Sequence, residues 1–102
     1  QSLILESDRG PLVISGCAHP GITRIVQRAG KIIDRSPHLV LGGFHLGGTR
    51  EEEINKVISE LRDNSIDKLA PTHCTGEKAI ETMRKEFQET FLEFGAGREI
   101  LI

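Results

Sequence analysis

The sequence predicts an α/β fold, a mixed sheet carrying three helices, from three observations. Short apolar runs alternate with stretches of helical period along the chain. The strand-like runs are apolar at consecutive positions, as in sheets buried on both faces. Each of the later strands leads into a glycine- or proline-bearing loop and then a helix. No linker or low-complexity tract divides the 102 residues, so residues 1–102 read as one domain or one piece of one.

The elements follow in order. Leu3-Ile4-Leu5 and Leu12-Val13-Ile14 flank the turn-forming Ser7-Asp8-Arg9-Gly10 and read as a β-hairpin. From Ile22 the period changes: Ile22, Ile25, Val26, Ala29 and Ile33 follow helical spacing until Ser36-Pro37. Gly30 within that helix costs roughly 1 kcal/mol relative to Ala. His38 to Leu41 is the next strand. Thr49-Arg50-Glu51-Glu52 has the form of a capping box ahead of the apolar stripe Ile54, Val57, Ile58 and Leu61, with Asn64 as a left-handed stop. Lys68-Leu69-Ala70 is a short strand ending at Pro71, and Ala79, Ile80, Met83 and Phe87 mark a third helix. Phe91 to Phe94 and Glu99 to Ile102, around Gly95-Ala96-Gly97, are expected to close the chain as a hairpin or a bulged pair.

Thirteen basic against fifteen acidic side chains leave a formal charge of −2, which gives no global pull toward nucleic acid or an anionic membrane. The apolar runs are short, so no membrane span is read, and no signal-peptide pattern opens the chain. Two cysteines, Cys17 and Cys74, are too few for a disulfide framework. Each lies in a glycine-bearing loop near a histidine, which points to a reducing, cytoplasmic setting and to thiols that are ligands, neighbours of ligands, or inert. The chain starts at Gln1 without an initiator Met, so it has been trimmed or is part of something longer.

The chemistry lies on three loops: Gly16-Cys17-Ala18-His19-Pro20-Gly21, Gly42-Gly43-Phe44-His45-Leu46 and Pro71-Thr72-His73-Cys74-Thr75-Gly76. Ligands of α/β sheets gather outside the carboxyl ends of the strands. One helix and one strand separate His19 from His45, and His45 from His73, so one sheet edge should gather all three imidazoles. His38 starts its strand and belongs to the opposite end. Imidazole is the commonest ligand for zinc and related metals, and thiolate is the next soft candidate. A single histidine after a strand is more often a satisfied hydrogen-bonding residue. Three in equivalent places, with two cysteines among them, favour a metal site.

Taken together, these motifs resemble the later motifs of one branch of the metallo-β-lactamase superfamily, the 7,8-dihydropterin-6-methyl-4-(β-D-ribofuranosyl)aminobenzene-5′-phosphate synthase-like family. The match covers nearly the whole chain, in order and spacing. The resemblance implies the C-terminal half of an αββα sandwich that holds one or two divalent ions, commonly zinc, to activate water for hydrolysis. It places His73 at the superfamily's last metal-binding histidine, and Gly16-Cys17 where many relatives carry Gly-Asp. His73, His19 and Cys17 are the candidate metal ligands, His19 ahead of Cys17, and His45 is the candidate catalytic or substrate-side residue. The superfamily's principal motif, His-x-His-x-Asp-His, is absent from these 102 residues, and none of the three loops contains an Asp.

Other features have plainer readings. Arg24, Arg28, Lys31 and Arg35 form a basic helical stripe with no aromatic residue between them to stack a base, so a solvated face is favoured over nucleic-acid binding. Glu51-Glu52-Glu53 suits the first turn of a helix. Thr72, Thr75 and Ser15 read as caps or turn residues rather than nucleophiles. The expected function is that of a metal-dependent hydrolase acting on a phosphoester or related small molecule. Two alternatives stand beside it: a non-catalytic half-module that needs a separate N-terminal half, or a nucleic-acid-processing relative. The expected partners of the bare sheet face are the N-terminal half of the same fold or a second copy, and the chain alone is expected to be inactive.

Overall fold

A computed structural model describes residues 1–102. Strands β1 (Ser2–Leu5), β2 (Leu12–Ser15), β3 (Leu39–Gly43) and β4 (Lys68–Thr72) form one sheet in the order β1-β2-β3-β4. The first pair is antiparallel, with Leu3 opposite Ile14, and the other two pairs are parallel. The hairpin closes as expected: the Gly10 N–H donates to the Ser7 carbonyl at 3.0 Å, and the Ser7 hydroxyl donates to the Gly10 carbonyl.

Helices α1 (Ile22–Ile33), α2 (Glu51–Asp63) and α3 (Glu77–Phe87) all lie on one face of the sheet. Right-handed crossovers taken in one direction across parallel strands require that placement. The pleat sorts the strand residues. Val13, Val40 and Leu69 meet Ile22, Val26, Ile54, Ile58, Leu61 and Met83 in the main core. Leu12, Leu39 and Ala70 point to the other face. Each fully buried aliphatic of the main core contributes about 1.5–3 kcal/mol of transfer free energy.

Three local expectations are corrected. Thr49 does not cap α2: its N–H closes a turn onto the Leu46 carbonyl, and extended Arg50 (φ −67°, ψ 151°) is the N-cap, with no side-chain bond. The three first-turn glutamates instead complement the helix dipole. Asn64 ends α2 without turning left-handed, at φ −89°, because its amide donates to the Glu60 carbonyl at 2.7 Å and satisfies a free helix acceptor directly. The left-handed residue is Ser65, at φ 52°.

The closing hairpin does not form either. After a 3₁₀ turn at Gln88–Thr90, Phe91 makes a single parallel bridge to Leu69, and no further strand follows. Leu92, Phe94 and Ile100 pack instead against Leu12, Leu39, Ala70 and Leu41, on the face that the helices leave bare. Covering consecutive apolar strand positions outweighs pairing the tail with itself. The cover is incomplete, since Leu3 and Leu5 remain 53% and 39% exposed. At the lower end of β3, His38 Nδ1 lies 3.0 Å from Asp67, at the opposite end of the sheet from the three loops.

Candidate metal centre

The three loops leave the carboxyl ends of three adjacent parallel strands, and backbone contacts stitch them together. The Gly43 N–H donates to the Gly16 carbonyl at 3.0 Å, and the Gly47 N–H to the Cys74 carbonyl at 3.1 Å. Thr75, fully buried, accepts the Phe44 N–H at 3.0 Å and donates to the Thr72 carbonyl at 2.6 Å. Thr75 is thus a turn residue, and one that locks the β3 loop to the β4 loop.

Glycine permits this closeness. A Cβ at Gly43 would stand 2.4 Å from the Gly16 carbonyl oxygen and 2.8 Å from Cys74 Sγ. A Cβ at Gly42 would stand 2.0 Å from the Ser15 carbonyl oxygen. Each loop also holds one non-glycine residue in the left-handed region: Ala18 at φ 55°, His45 at φ 55° and His73 at φ 54°. Side-chain-bearing residues enter this region at a cost and cluster at functional sites.

Within this edge the side chains sort into two groups. Cys17 Sγ lies 3.4 Å from His73 Nε2, and Cys74 Sγ donates to the Cys17 carbonyl at 3.4 Å. The donor atoms of Cys17, His73 and Cys74 all lie within 4.8 Å of one another. His73 is exposed and both thiols are half-buried and free. Burial, reinforced by the Cys74 thiol, pushes the Cys17 thiol above its ordinary pKa. The other group is His19 and His45, both exposed, whose ring centroids are 4.5 Å apart at a tilt of 49°.

Of the residues singled out from sequence, the structure therefore brings Cys17 to His73 and His19 to His45. Cys74, which the sequence leaves open as a ligand, a ligand's neighbour or an inert thiol, joins the first group. Its position next to His73 was the available signal, but adjacency alone does not tell which way a side chain turns. Arg24, Arg28 and Lys31 are exposed on α1, whereas Arg35, expected to continue the stripe, lies past the left-handed C-cap Asp34 and pairs with Glu6.

The donor set suits a divalent metal. Zinc held tetrahedrally at about 2.3 Å from sulfur and about 2.0 Å from nitrogen separates those two atoms by roughly 3.5 Å. The observed Cys17–His73 spacing matches that separation.

No protein-family profile matches the sequence. The chain is 36% identical over 99 residues to the 7,8-dihydropterin-6-methyl-4-(β-D-ribofuranosyl)-aminobenzene-5′-phosphate synthase of Methanocaldococcus jannaschii, an alignment covering 96% of this chain and 34% of the synthase. It is 35% identical over 69 residues to an uncharacterized protein of the same organism, covering 68% of this chain and 26% of that one. A crystal structure of a metal-dependent hydrolase of the β-lactamase superfamily superposes on the whole chain with a TM-score of 0.92 and 30% identity, over 40% of the hydrolase's length. The chain thus spans about a third of the synthase or less than half of the hydrolase.

Proposed function

Because this chain belongs to the metallo-β-lactamase superfamily, we propose that it supplies part of the metal site of a hydrolase-type enzyme acting on a phosphate-bearing small molecule. The observation that carries this reading is the Cys17–His73 pair, set at ligand spacing with Cys74 beside it, where three parallel strands end.

In this reading His73 Nε2 and Cys17 Sγ hold a divalent ion, proposed to be zinc, and Cys74 is the third donor. His19, two residues after Cys17, stands on the substrate side with His45, as an imidazole pair able to hold or pass a proton or to join the coordination sphere. A bound ion of this kind supplies Lewis acidity and draws the pKa of a coordinated water toward neutrality. The chain's own work is to fix the donors, and it does so through the buried Thr75 lock and the glycine contacts. The phosphate-bearing substrate class follows the name of the synthase relative.

The partner we propose is the remainder of the sandwich, packed on the sheet face where Leu3 and Leu5 lie open. Free thiols at such a site operate reduced, which fits the cytoplasm. No helix is long and apolar enough to cross a membrane.

Zinc titration against a chromophoric chelator tests the site, and phosphoesterase assay of the full-length parent tests the chemistry. Stoichiometric zinc binding that Cys17→Ala and His73→Ala each weaken by about tenfold or more is expected. Tight binding that survives both substitutions sinks the reading.

A further inference from the structure

We infer that Cys17 and Cys74 form a reversible disulfide under oxidation, so that the proposed metal site is also a thiol-oxidation site. This rests on the metal reading only for its consequence; the oxidation stands on geometry. The two sulfurs lie within 4.8 Å of each other. The Cys74 thiol is already hydrogen-bonded at 3.4 Å to the carbonyl of the residue it would join. Both thiols are free and half-buried, reachable by a small oxidant but poorly reachable by a second protein molecule. Cys17 sits in a loop and Cys74 in the single 3₁₀ turn His73–Thr75, neither inside a strand, so closing the remaining gap to the bonded length of about 2.05 Å needs side-chain rotation and a small shift of the Cys17 loop.

The oxidant is a peroxide. The Cys74 sulfur attacks one peroxide oxygen, the O–O bond breaks, and water leaves with the Cys74 thiol proton, giving a sulfenic acid. The Cys17 sulfur then attacks the Cys74 sulfur. The S–O bond breaks, and a second water leaves carrying the Cys17 proton. Two thiols are oxidised and one peroxide is reduced to two waters. The disulfide takes up both sulfur donors and leaves His73 alone of the three, so disulfide and metal exclude each other.

The test treats the intact chain with hydrogen peroxide, with and without prior zinc loading, and reads intact mass, a non-reducing peptide map and zinc affinity. The expected result is a loss of about 2 Da and one Cys17–Cys74 peptide, both reversed by dithiothreitol. Prior zinc should slow the reaction at least tenfold, and the oxidised chain should bind zinc at least tenfold more weakly. Cys17→Ser and Cys74→Ser, checked for folding by circular dichroism, should each prevent the mass loss. Sulfinic acids or intermolecular dimers in place of the internal disulfide overturn the inference. An internal disulfide in a chain that binds no zinc when reduced supports the oxidation site and overturns the metal reading instead.

Discussion

Gly43 shows how much the site depends on a missing side chain. An alanine there would meet the Gly16 carbonyl at 2.4 Å and Cys74 Sγ at 2.8 Å, against backbone that cannot move freely. Gly43→Ala is expected to cost about 1–3 kcal/mol, as overpacking does, and to weaken zinc binding by displacing Cys74. Urea unfolding beside zinc titration checks both, and an unchanged midpoint would mean that the loops yield to the added methyl group. Among the donors, His73→Ala and Cys17→Ala should each lower zinc affinity at least tenfold, on the order of what disturbing a metal's surroundings costs. His19→Ala should lower it less, since its ring rests on His45. His38→Ala, paired with Asp67 at the far end of the sheet, should leave affinity unchanged. Elemental analysis of the four variants decides, and equal loss from all of them would break the assignment.

Among the elements, the tail after α3 is held by charge as well as by apolar contact. Glu93 accepts a bond from Arg84 on α3 at 2.6 Å, and this bond holds its carboxyl below the ordinary glutamate pKa. A carboxyl depressed in the folded state adds stability that is present above its unfolded pKa and lost as pH falls through the folded one. Glu93→Gln should therefore lower the urea midpoint slightly at pH 6, and the difference from the unsubstituted chain should vanish toward pH 3. A difference that persists at pH 3 would mean that packing, not charge, sets the effect. The same tail marks where the sequence was least legible. The helices could be read because their apolar residues keep a period of 3.6, and the strands because they are short consecutive apolar runs bounded by turn residues; α1 runs from Ile22 to Ile33 as its spacing predicted. Leu92, Phe94 and Ile100 lie in short apolar runs that read as strands, yet a distant sheet face decides their place, and no local pattern records that face. The site divides in the same way. Loop positions followed from the alternation of elements, whereas the pairing of Cys17 with His73 depended on left-handed turns at Ala18 and His73 that the sequence does not announce.

For the molecule as a whole, the asymmetry of the sheet governs behaviour. One face is sealed by three helices, and the other has only the tail, with Leu3, Leu5 and Leu101 at least 39% exposed. The isolated chain is expected to self-associate through that face, or to bind the rest of the sandwich in preference. Sedimentation equilibrium at high micromolar concentration tests this, and a monodisperse monomer would show that the tail is cover enough. Without the rest of the fold, the chain should show no phosphoesterase turnover, since it carries three clustered donors and lacks the His-x-His-x-Asp-His motif. The order β1-β2-β3-β4 has a further consequence. Strand order equals the order of synthesis, so each new βα unit can dock on the one already folded as the nascent chain leaves the ribosome. The tail emerges after all four strands. For that interval Leu12, Leu39 and Ala70 lack the cover that Leu92, Phe94 and Ile100 give them in the folded chain, and an apolar sheet face open during folding is where aggregation starts.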